Sequence, residues 1–121
     1  MLDEAEIRRR TPLWTALADL FLDGGPVDLA EAIASAARAG GFSAADVRRI
    51  LEQEVGPVFY RNLLSVAGHW GEWGDDFVRE KVSAYLAGKS LPRLNRPLAR
   101  RIIDMAIANE WDAVVAGIEK S

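Results

Sequence analysis

Residues 43–73 read SAADVRRILEQEVGPVFYRNLLSVAGHWGEW, and this stretch decides the fold class that the sequence predicts. Its first part repeats apolar residues at the spacing of one helix face: Val47, Ile50, Leu51 and Val55. Ser43 and Asp46 form the pattern of a helix start. Because the residue before a proline avoids the α region, Gly56 and Pro57 predict that a second helix begins here.

The rest of the chain carries further helix signals. Asp3 can cap a first helix, in which Pro12 is expected to mark a kink or a fresh start. Asp28 and Glu31 form a capping-box pattern before an alanine-rich helix. No stretch alternates apolar and polar residues over the length of a strand. The sequence therefore predicts an all-α fold, a single compact domain of six or seven helices.

Composition limits the classes of function. The chain has 121 residues, which suits one domain, and its formal net charge of −3 does not attract nucleic acid or an anionic membrane. With no cysteine and one histidine, we expect no disulfide, no metal and no cofactor. No apolar run approaches the ~18 residues of a membrane span, and no signal peptide is evident. We expect a cytoplasmic protein that neither crosses a membrane nor binds nucleic acid.

Polar residues near the Gly-Pro step are the first candidates for a site. Asn62 borders the apolar stripe of the second helix, and His69 follows on nearly the same face. In a structural interpretation, Glu54 accepts from free N–H groups at a helix start and Asn62 satisfies loop backbone groups. In the alternative, Glu54 and His69 form an acid–base pair with Asn62 as a contact for an oxyanion. Because no nucleophile or metal motif accompanies them, the structural interpretation is favoured.

The glycine-rich turn at 68–75 is a candidate partner-binding edge. Its members are His69, Trp70, Glu72 and Trp73. Trp70 continues the helical stripe and is expected to pack inward, whereas Trp73 follows a glycine and is expected to be more exposed.

The last helical segment, 96–118, has two apolar faces. One contains Leu98, Ile102, Met105 and Ala106, and the other contains Ile103, Ile107, Trp111, Val114 and Ile118. Because the helix of a monomer needs one apolar face, the second face predicts a homodimer. The alternative is a break near Asn109, after which both faces turn to one core.

Two arginine clusters suggest contacts with anions. Arg8, Arg9 and Arg10 follow acidic residues, two of which are glutamates at i−4, and favour a solvated face. The second cluster is Arg93, Arg96, Arg100 and Arg101. It begins a helix, where cations oppose the helix dipole, so a phosphate or an acidic partner is a contact worth testing.

The motifs of residues 9–82 resemble an uncharacterised bacterial domain family. An arginine-rich start and Trp14 precede LFLD at 20–23, and EV-x-P at 54–57 precedes NLL at 62–64 and a Gly-x-Trp turn at 68–70. The histidine in that turn departs from the glutamate expected there, which argues against a family-wide catalytic role for it. The resemblance implies a fold unit and no reaction, and it leaves a C-terminal extension at about 95–118 outside it.

Two functions follow from these observations. We expect a non-catalytic protein-binding domain, an immunity or regulatory protein whose acidic surface complements a basic partner. The alternative is a small helical enzyme or small-ligand-binding protein that uses Glu54, Asn62 and His69. The scarcity of reactive groups favours the first.

Overall fold

Helices make up the secondary structure of this chain. The computed structural model describes residues 2–22, 28–60, 74–88 and 96–120. These residues contain no strand, and their helices are α1 (Glu4–Ala18), α2 (Leu29–Gly40), α3 (Ala44–Ile50), α4 (Gly56–Phe59), α5 (Asp75–Leu86), α6 (Arg96–Ala108) and α7 (Trp111–Glu119). A π turn, Leu51–Val55, joins α3 to α4 without a break, so the described helices form six rods. The predicted all-α class and single compact domain are confirmed.

Polar side chains start two of the helices at the predicted residues. Asp3 accepts a hydrogen bond from the N–H of Glu6 at 2.8 Å and caps α1. At the start of α3, the Ser43 hydroxyl accepts from the N–H of Asp46, and the Asp46 carboxylate accepts from the N–H of Ser43. The predicted helix start is confirmed, and these two hydrogen bonds form a capping box that fixes where the helix begins.

Two predicted features of helix starts are absent, a fresh start at Pro12 and a capping box at Asp28, although α2 does begin directly after Asp28 as predicted. The helix α1 runs through Pro12, which is exposed, and does not begin afresh there. An exposed proline ring meets solvent, and the buried Leu13 and Trp14 hold the backbone on the core side. At α2, the Asp28 side chain makes no cap hydrogen bond, and Glu31 pairs with Arg38 at 3.4 Å, so no capping box forms.

The core lies where α1 and α3 meet the other helices. A short 3₁₀ turn, Asp19–Phe21, continues α1. The fully buried side chains of the core include Leu13, Trp14, Leu17 and Phe21 of this first rod and Val47, Ile50, Leu51 and Val55 of the third. The stripe of the third rod was predicted from its spacing and is confirmed. The alanine-rich α2 packs closely on α7, where a Cβ on Gly117 would overlap the methyl group of Ala34. Close approach at this crossing therefore needs a glycine.

The Gly-Pro step forms a π turn rather than the predicted break. The N–H of Gly56 bonds to the carbonyl of Leu51, five residues back, and Pro57 then enters the first turn of α4. The wider turn accommodates a proline, which has no N–H to donate. A Cβ on Gly56 would overlap the side chain of Ile103 and lie 2.7 Å from the Leu51 oxygen. Glycine is therefore required for the close packing of this turn against α6.

Replacing Gly56 by alanine is expected to destabilise the domain by about 1–3 kcal/mol, as for an overpacked core. This is opposite in sign to the gain of about 1 kcal/mol that alanine gives in an open helix. Urea unfolding measures the difference. Gly56→Ala combined with Ile103→Val should recover part of the loss, because the overlap with Cδ1 of Ile103 is relieved, while the overlaps with its Cγ1 and with the Leu51 oxygen remain. A stabilised Gly56→Ala would contradict the close packing.

The C-terminal segment breaks where the alternative prediction placed it. Asn109 and Glu110 form a turn between α6 and α7. The predicted dimer face is corrected by this geometry: Ile103, Ile107 and Val114 are buried in the core of their own chain. Trp111 and Ile118 are half-buried and pack against that core. The geometric reason for a dimer through these five side chains therefore no longer holds.

Candidate functional site

Most of the candidates near the Gly-Pro step lie outside the described residues. These are Asn62, His69, Trp70, Glu72 and Trp73. Their roles stay predictions, as does the inward packing of Trp70. Glu54 is described, and it can be placed in full.

Glu54 lies in the π turn and is buried between α1 and α3. One carboxylate oxygen accepts from the indole N–H of Trp14 at 2.8 Å. The other accepts from the guanidinium of Arg10 at 2.5 Å. The Arg10 guanidinium also donates to Glu6 at 2.9 Å. The side chains of Glu54 and Arg10 are 8% and 12% exposed, so this is a nearly desolvated ion pair.

The charges of this cluster stabilise one another. Burial disfavours the charged guanidinium, yet hydrogen bonds from it to Glu6 and Glu54 raise the pKa of Arg10 above its ordinary value. The hydrogen bond from Arg10 lowers the pKa of Glu6, and Arg9 contributes in the same direction. Both shifts favour the charged forms of Arg10 and Glu6 at neutral pH.

The donors to Glu54 differ from those expected. Free N–H groups at a helix start were predicted, but the carboxylate instead accepts from two side chains that lie 44 and 40 residues back in the chain. A general base needs a lone pair that faces a substrate. At Glu54 both oxygens are engaged by core donors, so the geometry supports a structural role.

The first arginine cluster is more structural than the predicted solvated face. Arg8 is exposed and pairs with Glu4 at 3.9 Å. Arg9 donates to the carbonyl of Gly40 at 2.8 Å and lies over the ring of Phe42. These contacts tie α1 to the end of α2, and they leave Arg8 as the mainly solvated member.

A groove follows the seam between α1 and α5, and we call it the α1–α5 groove. Three adjoining cavities, all lined by Ile7, make it up. The cavity at one end has a volume of about 290 Å³ and is lined mainly by apolar groups of Leu2, Ile7, Ala84, Leu86 and Ala87. The cavity at the other end is lined by charged residues of both helices: Glu4, Arg8, Asp75, Asp76 and Arg79.

A second depression, the π-turn cleft, lies between the π turn, α5 and α6. Its volume is about 250 Å³, and its polar lining consists of Glu52, Gln53, Tyr85, Arg96 and Arg100. Two arginines of the second predicted cluster therefore line one cleft, whereas Arg93 lies outside the described residues.

The described part of the chain contains neither a candidate metal site nor a candidate membrane-spanning helix. No group of three or more histidine, cysteine, aspartate or glutamate side chains is placed to hold a metal ion among residues 2–22, 28–60, 74–88 and 96–120. Over the same ranges, no helix combines the length and apolar character that crossing a bilayer requires.

Fold and surface together define a small all-helical domain with a grooved acidic face. The chain belongs to the family described as Domain of unknown function (DUF7079), whose model matches residues 8–116. The predicted resemblance to an uncharacterised family is confirmed, but its C-terminal limit was wrong, because the match includes α6 and most of α7. No curated protein and no solved structure matches the chain.

Proposed function

We propose that this chain is a non-catalytic protein-binding domain, an immunity or regulatory protein whose α1–α5 groove holds a basic amphipathic segment of its partner. The observation that carries the proposal is the groove itself, which joins an apolar cavity to a rim with excess negative charge. An apolar anchor in a pocket, surrounded by polar contacts, is the usual arrangement of a protein interface.

The apolar cavity suits a hydrophobic anchor residue. It is bounded by the side chains of Leu2 and Ile7 on the α1 side and of Leu86 on α5, all half-buried. The 12 residues of α5 span about 18 Å, which is a little over three turns of helix. A partner helix of similar length could lie along this groove and place one apolar side chain in the cavity.

The rim determines the charge of the partner. Four carboxylates line the groove, from Glu4, Asp75, Asp76 and Glu80, against the two arginines Arg8 and Arg79. Both arginines are already paired, with Glu4 at 3.9 Å and with Asp76 at 2.8 Å. Four negative and two positive side chains give the groove a formal charge of −2. The two carboxylates in excess, Asp75 and Glu80, form no ion pair with any described residue. Lysine or arginine on a partner would complement this charge.

The same charge supports the immunity or regulatory role. A basic enzyme or a cationic site can be covered by a small acidic protein that binds it in equal numbers. The alternative enzyme or ligand-binding function through Glu54, Asn62 and His69 gains no support from Glu54, whose oxygens are both occupied within the core.

Replacing Ala84 by arginine tests the groove. Ala84 lines the apolar cavity, so the new side chain should fill it and repel a basic segment. Ala113→Arg is the matched control, because Ala113 is exposed on α7 and its substitution adds the same positive charge away from the groove. The measurement is capture of proteins from the source cell by tagged protein, quantified by mass spectrometry.

The expected result is one protein captured in equimolar amount by the wild type and by Ala113→Arg, with at least a tenfold loss for Ala84→Arg. A loss of that size corresponds to about 1.4 kcal/mol of binding free energy. The proposal would be refuted if no protein is captured in equimolar amount, or if both variants capture it equally well. It would also be refuted if the captured protein binds through an acidic segment. Urea unfolding of both variants establishes that each is folded.

A further inference from the structure

The π-turn cleft brings together groups that recognise anions. Arg96 and Arg100 lie one helical turn apart on α6, and the phenol of Tyr85 and the amide of Gln53 complete the polar lining. Guanidinium groups bind phosphate and carboxylate through two parallel hydrogen bonds, and hydroxyl and amide groups add single donors. Residues of the π turn form one wall of the cleft, and π turns within helices often occur at functional sites.

The charges around the cleft leave one cation uncompensated. Glu52 accepts from Arg48 at 2.9 Å and pairs with Arg100 at 3.4 Å. Asp104 pairs with the same two arginines, at 2.7 and 3.5 Å. The two carboxylates, Glu52 and Asp104, thus balance the charges of Arg48 and Arg100. Arg96 also lines the cleft and gives it a local charge of +1, although the net charge of the chain is −3.

Arg96 has no anionic partner among the described residues. It is exposed, and no ion pair or hydrogen bond joins its side chain to any of them. It is also the first residue of α6, where a cation opposes the helix dipole. Arg100, in contrast, is held at the wall of the cleft by Glu52 and Asp104. A bound anion would neutralise the unpaired charge and contact the prepositioned one.

We infer that the π-turn cleft binds the oxyanion group, phosphate or carboxylate, of a small molecule, with Arg96 as its principal contact. Arg100 and the Tyr85 hydroxyl supply the flanking donors. The volume of about 250 Å³ lies just below the ~300–1,000 Å³ of sites for drug-sized ligands, so the ligand is small. This site is separate from the α1–α5 groove and does not depend on the proposed protein partner.

The test uses two substitutions that remove the same charge from the same helix. Arg96→Gln removes the unpaired arginine of the cleft. Arg101→Gln is the control, because Arg101 is exposed on α6, does not line the cleft and forms no ion pair with a described residue. The probes are inorganic phosphate and malonate, each titrated against a chloride reference of equal ionic strength and followed by amide chemical shifts.

The inference expects saturable shifts at Tyr85, Ala99 and Arg100 with at least one of the two probes. The comparison of phosphate with malonate then identifies which oxyanion the site prefers. Affinity should be unchanged in Arg101→Gln and reduced about tenfold or more in Arg96→Gln, as for the loss of a charge-assisted hydrogen bond. Tyr85→Phe should weaken binding less, because a neutral donor is lost.

Three results would overturn the inference. They are shifts that never saturate with either probe, equal weakening in Arg96→Gln and Arg101→Gln, and saturable shifts confined to other parts of the chain. Because both arginines are exposed, neither substitution should lower the unfolding midpoint in urea.

Discussion

Ile107→Glu is expected to unfold the domain, or to leave it with a small remainder of its stability. The Ile107 side chain is completely buried in the core between α6 and its neighbours. Removing it costs about 2–5 kcal/mol, and a carboxylate left in its place without a partner adds a desolvation penalty of several more. Small domains have total stabilities of about 5–15 kcal/mol, so the sum approaches the whole. Far-UV circular dichroism and urea unfolding measure the loss.

Met105→Glu is the matched control on the same helix. Met105 is 67% exposed, and its replacement by glutamate introduces the same charge two residues earlier in the chain. We expect it to change stability by no more than about 0.5 kcal/mol, as for other surface substitutions. An Ile107→Glu protein that stays folded but changes its sedimentation would contradict the burial of Ile107 and return it to an interface between chains.

Local signals predicted the helices well because their causes are local. Ser43 and Asp46 act on backbone groups three residues apart, and the apolar stripe ending at Val55 needs only the period of a helix. Such interactions need no distant partner, although the similar pattern at Asp28 and Glu31 forms no capping box because Glu31 pairs with Arg38. The predictions that rest on them, the helix start and the buried face, are the ones that the structure confirms.

Predictions failed where tertiary packing chose between two local conformations. A proline permits either a helix start or a helix interior, and at Pro12 the buried neighbours selected the interior. The Gly-Pro step could have ended a helix, but packing of Gly56 against Ile103 favours a π turn that keeps the rod continuous. The two apolar faces of the C-terminal segment were equally ambiguous, and the turn at Asn109 lets side chains of both faces reach one core, with the exception of Met105.

The site could be predicted only in part, for a related reason. Glu54 was singled out, but its partners Arg10 and Trp14 lie 44 and 40 residues away, and no periodicity links such distant positions. The α1–α5 groove likewise exists only once Leu2 and Leu86 are brought to one surface. The second arginine cluster carries the signal on which the proposed cleft rests, because a helix start is an unfavourable position for a cation and Arg96 has no anionic partner among the described residues.

Glu54→Ala is expected to cost about 3–5 kcal/mol of stability, the usual effect of removing one member of a buried ion pair. The loss leaves the buried indole N–H of Trp14 without an acceptor and the Arg10 guanidinium with Glu6 as its remaining carboxylate. Glu4→Ala is the control, because Glu4 forms only an exposed pair, with Arg8, and such pairs contribute about 0–1 kcal/mol. Urea unfolding at neutral pH compares the two.

Two further variants separate the charge of Glu54 from its hydrogen bonds. Glu54→Gln keeps an acceptor for Trp14 but not the charge opposite Arg10, so its loss should lie between those of the wild type and Glu54→Ala. Arg10→Met combined with Glu54→Leu replaces both charges with apolar groups and should recover much of the loss, because neither ion then needs to be desolvated. If Glu54→Ala costs no more than Glu4→Ala, the carboxylate does not hold α1 to the π turn. Its burial would then need the other explanation, a carboxylate kept for binding or chemistry, and the enzyme alternative would regain the support that the geometry now withholds.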